Sequence, residues 1–203
     1  MKKSISVVLL AAMVASGVFA QEEEAAKRKE NAIFLDFGPL IAGALRDGFG
    51  LGVGYERALN DRFSILGHID MLGFPVKLTN SQKEYYEETV FALDIDVRAR
   101  WYPFKAALSG FFVGAGVGYG LLSDVVEPKS AGKAVGIEKE DYSLHIMNFA
   151  AQLGWKWILG AGFVLEPIVR YTGVIELANN RPAGSAKLSV GGFTAGVSLG
   201  WAF

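Results

Sequence analysis

The chain has 203 residues, enough for one domain, with 51% hydrophobic residues and a formal net charge of −1 at pH 7. That balance excludes a disordered segment and leaves no basic patch for a nucleic-acid phosphate backbone. Cysteine is absent, which excludes disulfides, thiolate metal ligands, a thiol nucleophile and the acylated N-terminal cysteine of a lipoprotein.

The opening segment, MKKSISVVLLAAMVASGVFA, carries Lys2 and Lys3, an apolar run from Val7 to Ala15, and Val18 and Ala20 at the spacing a signal peptidase reads. Residues 1–20 are therefore expected to be a signal peptide cleaved after Ala20. The run is too short for a membrane-anchoring helix, which needs about 20 apolar residues. Residues 21–30, QEEEAAKRKE, have nothing to bury and read as a solvated periplasmic tail. Residues 31–203 form the remaining domain.

Beyond the tail, apolar side chains recur at every second position, which places them on one face of a β-strand. Eight strands are predicted. The first, 32–42, sets Ile33, Leu35, Phe37 and Ile41 against Asp36 and Gly38; the second, 48–58, sets Phe49, Leu51, Val53 and Tyr55 against Gly50, Gly52, Gly54 and Glu56. The third, 62–72, opposes Phe63, Ile65, Ile69 and Met71 to Ser64, His68 and Asp70, and the fourth, 89–101, opposes Phe91, Leu93, Ile95, Val97, Ala99 and Trp101 to Ala92, Asp94, Asp96, Arg98 and Arg100. In the fifth, 110–122, Phe111, Val113, Ala115, Val117, Tyr119 and Leu121 oppose glycines at 114, 116, 118 and 120. A helix would scatter those glycines around its surface, whereas a strand gathers them into one stripe. The sixth, 142–157, opposes Phe149, Ala151, Leu153, Trp155 and Trp157 to Asn148, Gln152, Gly154 and Lys156. The seventh, 162–173, opposes Phe163, Leu165, Val169 and Tyr171 to Glu166, Arg170 and Thr172, and the eighth, 191–203, opposes Phe193, Ala195, Val197, Leu199, Trp201 and Phe203 to small residues.

Each segment is about as long as a tilted membrane-crossing strand, roughly 9 to 11 residues. Short connections (LNDR, YPFKAALS, ILGA) alternate with long ones, the exception being a brief first outer loop, GALRD. The apolar set with its tryptophans makes a continuous skin suited to lipid, while the second set, mostly Gly, Ala and Ser with a few charges, makes a poor solvated surface and is expected to point into a narrow lumen. The fold class is therefore all-β, an eight-stranded antiparallel transmembrane β-barrel.

With its signal peptide, eight alternating strands and final strand ending in Phe203, the chain resembles the small outer-membrane barrels typified by the OmpA membrane domain, OmpX and OmpW. The resemblance implies a cell outer-membrane location, and it makes Val197, Leu199, Trp201 and Phe203 the signal read by the outer-membrane insertion machinery. Outer-membrane lipid, that machinery and periplasmic chaperones are the partners it implies, with a monomer expected and no peptidoglycan-binding domain after the eighth strand.

Asp36, Glu56, His68, Asp70, Asp94, Asp96, Arg98, Arg100, Lys156, Glu166 and Arg170 share the inward parity. Buried charges have to be paired or neutralised, so this set is expected to form a network that plugs the lumen or, alternatively, to line a solute path. Pro39 and Pro167 fall on the outward parity of predicted strands, where each removes a ladder donor and a bulge is expected. The OmpW resemblance adds a lateral exit for apolar solutes as the alternative. Lipid A deacylases and palmitoyltransferases share the architecture, but Ser143 and His145, two apart on one face of YSLHIMN, stand in reverse order from the deacylases' His-x-Ser. They read as rim residues, and neither enzyme activity nor a cofactor or metal is expected. The polar loops TNSQKEYYEETV and EPKSAGKAVGIEKED suit an extracellular ligand, so the main expectation is a structural or surface-interaction role of the adhesin kind.

Overall fold

A computed structural model describes residues 29–76, 78, 80–104, 107–180 and 191–203. The expected signal peptide and most of the tail lie outside the described residues. Among those described, eight antiparallel strands run β1 (Asn31–Asp36), β2 (Phe49–Ala58), β3 (Phe63–Pro75), β4 (Tyr86–Trp101), β5 (Gly110–Pro128), β6 (Glu140–Leu159), β7 (Phe163–Asn179) and β8 (Gly192–Ala202). They close in chain order into a barrel, β8 pairing with β1 from Ala32–Ala202 to Asp36–Ser198. Closure satisfies every strand edge, the condition for a sheet to sit in hydrocarbon. Among the described residues, three short helices interrupt the long connections: α1 (Gly38–Ala44), α2 (Asn80–Tyr85) and α3 (Ser130–Ala134).

The pleat sorts the side chains as their alternation requires. Along β2, Phe49, Leu51, Val53 and Tyr55 are exposed while Gly50, Gly52, Gly54 and Glu56 are buried. The same holds around the ring, where Ile33, Ile65, Ile95, Val117, Phe149, Val169 and Trp201 form an exposed apolar belt. No soluble surface would carry so continuous a patch. All four tryptophans, Trp101, Trp155, Trp157 and Trp201, stand near the rim of the short turns, where indoles favour the lipid–water interface. Trp155 and Trp157 pack with ring centroids 6.2 Å apart.

The first strand stops earlier than its alternation predicts, which corrects the 32–42 span. Asp36 Oδ1 accepts the Gly38 N–H at 2.8 Å and turns the chain. Pro39 then sits in the first turn of α1, where a missing N–H costs nothing. It lies in a helix and marks no strand bulge. Gly43 lets α1 lie against β2, since a Cβ there would stand 2.4 Å from the Phe49 carbonyl carbon. β1 alone, at six residues, is too short to cross; exposed Leu40 and Ile41 of α1, with Leu45 just after it, continue the apolar skin above it. The first outer connection is thus the whole of 37–48, and the expected brief loop is not found.

Pro167 does lie in a strand, but the β6–β7 register continues unshifted from Gly154–Ile168 to Trp157–Leu165. The missing donor leaves a gap in the ladder without an inserted residue; the register shift falls instead between His145 and Ile146. Strands β5 and β7 also run six residues past their predicted ends, and β4 begins three residues early, in segments read as loops. There the apolar alternation fades, yet backbone pairing continues, and exposed ion pairs such as Lys129–Glu87 at 2.9 Å and Lys139–Glu127 at 3.6 Å mark a solvated wall.

Candidate functional site: a charged lumen

Strand parity and barrel register bring the inward charges into two layers. Nearer the short turns, Glu56 of β2, Arg100 of β4, Lys156 of β6 and Glu166 of β7 meet at the axis, each at most 1% exposed. Arg100 grips Glu166 with two donors, Nη1 to Oε2 at 3.0 Å and Nη2 to Oε1 at 2.8 Å, and Nη1 also reaches Glu56 Oε2 at 2.7 Å. Lys156 Nζ lies 2.9 Å from Glu166 Oε2 and also donates to Glu56. The Ser64 and Tyr102 hydroxyls also donate to Glu56, the tyrosine at 2.7 Å. Burial, and then the Glu56 carboxylate, push the Tyr102 phenol well above its usual range, so the hydroxyl keeps its proton and donates. Two acids and two bases, all hydrogen-bonded, make a neutral cross-brace.

The second layer lies toward the long connections and is less evenly matched. His68 and Asp96 face each other across β3 and β4, as do Asp70 and Asp94. Arg98 donates to Asp96, reaches Gln152 Oε1 at 3.1 Å, and lies 3.3 Å from His68 Nδ1. Arg170 bridges Asp36 Oδ2 at 3.2 Å and Asp70 Oδ2 at 3.3 Å, while Asn148 donates to Asp94. A cavity of about 370 Å³ under α1 opens on Asp36, Asp70, Asp94 and Arg170.

Inward-facing aromatics escaped the sequence reading. Phe34 and Phe112 are buried, and the Arg100 guanidinium carbon stands 4.3 Å from the Phe112 ring centroid and 5.8 Å from that of Phe34. A cation over a ring face gains electrostatically once desolvated. Both share parity with the inward charges, so strand alternation alone places them inside. The lumen therefore holds large side chains as well as small ones, and the glycine stripe makes room for them. At Gly116 a Cβ would stand 2.3 Å from the Val97 carbonyl oxygen and 2.5 Å from Arg98 Cγ. Gly116→Ala is expected to cost about 1–3 kcal/mol of overpacking in urea unfolding, whereas Ala115→Val on the exposed face should stay within about 0.5 kcal/mol.

Outside the lumen, His145 Nδ1 contacts the Tyr119 hydroxyl and the Ser143 backbone N–H donates to Asn180 at 2.6 Å. Of the terminal set, Val197, Trp201 and Phe203 are exposed on the outer face, and Leu199 shares their parity. The Phe203 N–H donates to the Asn31 carbonyl at 2.8 Å, and its own carbonyl accepts from Asn31 at 3.0 Å, closing the seam.

No protein-family model and no curated protein sequence matches the chain. Among solved structures, it is similar to Ail, the attachment invasion locus protein of Yersinia pestis, solved in complex with the heparin analogue sucrose octasulfate: 12% identity over 86% of this chain and 97% of that one, with a TM-score of 0.52. Neisserial surface protein A matches at 11% identity over 86% and 95% of the two chains, TM-score 0.40. The N-terminal β-barrel domain of Pseudomonas aeruginosa OprF matches at 11% over 86% and 96%, TM-score 0.39. The likeness to Ail is one of fold: the chain has the architecture of a small outer-membrane β-barrel.

Proposed function

We propose that the protein is an integral outer-membrane barrel with a closed interior and a structural or surface-interaction role, its short turns and both barrel termini in the periplasm and its long connections outside. Residues 1–20 serve as the cleaved signal and residues 21–30 as a periplasmic tail; lipid, the insertion machinery and periplasmic chaperones are its partners during assembly. The observation that carries this reading is the cross-brace of Glu56, Arg100, Lys156 and Glu166, whose buried side chains span the lumen from four strands. A plugged eight-stranded barrel offers no aqueous route, so activity belongs to its outer surface. The solvated wall of β4 to β7, with its exposed ion pairs, supports that placement. The similar barrel Ail has been solved with a heparin analogue, which favours an extracellular ligand as the class of partner. The role is non-enzymatic: His145 is engaged by Tyr119, and His68 faces the lumen.

Single-channel recording of the refolded protein in a planar bilayer tests the reading, once heat-dependent gel mobility shows a formed barrel. A silent, folded barrel is expected. Discrete openings that change size when Arg100 or Lys156 is neutralised would replace the plug with a path.

A further inference from the structure

The two layers of lumen charge differ in their balance. Glu56 and Glu166 meet Arg100 and Lys156, two against two, whereas Asp36, Asp70, Asp94 and Asp96 meet only Arg98 and Arg170, four against two. Counted by formal charge and before His68, acids outnumber bases in the outer layer. Its imidazole is 2% exposed; Nε2 lacks a hydrogen-bond partner and points toward Asp36 Oδ2 at 3.5 Å. Asp70 Oδ1 is likewise buried without a partner.

We propose that Asp36, His68 and Asp70 form a binding site for a single divalent transition-metal cation of the zinc type. One ligand-capable atom from each residue lies within 4.8 Å of the others, close enough for side-chain rotation to set all three around one ion at bonds of roughly 2.0–2.2 Å. One imidazole and two carboxylates suit zinc and its neighbours, whereas calcium and magnesium favour all-oxygen shells. The backbone is built for the convergence. Asp36 on β1 and Asp70 on β3 meet across β2 because residue 52 is glycine, and a Cβ there would stand 2.3 Å from Asp70 Oδ1 and 2.8 Å from Asp36 Cβ. Arg170 holds the two carboxylates as a built-in monovalent cation. It also borders the cavity of about 370 Å³ that reaches Asp36 and Asp70 from under α1, so it has space to withdraw when a divalent ion enters.

Calorimetric titration of the refolded, metal-free full chain with zinc chloride tests the site, and cobalt substitution adds the visible spectrum of its ligand field. One zinc per barrel is expected, with calcium far weaker. Removing even an outer-shell partner costs a metal site roughly 10- to 100-fold in affinity, so His68→Gln and Asp36→Asn should each lose at least that much. Arg170→Gln should bind more tightly, because its competitor is gone. That variant keeps every ligand and so still tests the site if the His68 variant fails the gel-mobility assay. No binding by the folded wild type, equal affinity for calcium, or zinc binding unchanged in His68→Gln would overturn the proposal. It stands apart from the plugged-barrel reading, which conductance decides.

Discussion

Arg100→Ala is expected to destabilise the folded barrel by about 3–5 kcal/mol, the cost of removing one partner from a buried ion pair and leaving the other charge stranded. Glu166 would lose its two-donor grip and Glu56 its 2.7 Å contact, leaving Lys156 alone to face two carboxylates. Urea titration of the refolded barrel, followed by gel mobility, measures the loss. Removing the opposing charge as well, in Arg100→Met with Glu166→Gln, should recover most of it, since Glu56 and Lys156 remain as a matched pair. A single-variant loss below about 1 kcal/mol would mean that water reaches these groups and screens them, and the plug would fall with it.

Val97→Arg should cost about 2–4 kcal/mol in a lipid bilayer, the range for a cation on the hydrocarbon face of a barrel near its midplane. Val97 is 50% exposed, lies between Gly67 of β3 and Val117 of β5, and stands four residues in from Trp101 at the short-turn rim. The next residue, Arg98, is tolerated because the pleat turns it inward. At an ordinary water-exposed position the same substitution would change stability by no more than about 0.5 kcal/mol. Glu127→Arg, on the solvated wall, supplies that comparison. Equal effects at 97 and 127 would mean that the apolar belt does not meet lipid.

How much of this was legible in the sequence depends on the range of the interaction. Face assignment was local: a pleat reverses direction at each residue, so Asp96, Arg98 and Arg100 had to share a side with one another and oppose Ile95, Val97 and Ala99. The pairings were not local. Which acid Arg100 meets depends on how far each strand is offset around the closed ring, and Glu166 lies on a different strand altogether. α1 was hidden because Pro39, Ile41 and their neighbours mimic a strand's alternation until the Asp36–Gly38 hydrogen bond turns the chain. The extensions of β4 and β5 were hidden for the opposite reason, since in water neither face of a strand needs to be apolar. Phe34 and Phe112 were missed where a lumen aromatic looks like a break in the pattern, although each packs beside a lumen cation.

The four indoles gathered at the short-turn rim make the intrinsic fluorescence of this protein one-sided. Brominated lipid confined to the adjacent leaflet should quench nearly all of the emission, and the same lipid in the far leaflet should leave it almost untouched. During refolding, a blue shift therefore times the arrival of this rim at the interface and is blind to the passage of the long connections. Following that passage optically requires a reporter at the other girdle, where Tyr171 and Phe193 already pack with ring centroids 5.0 Å apart.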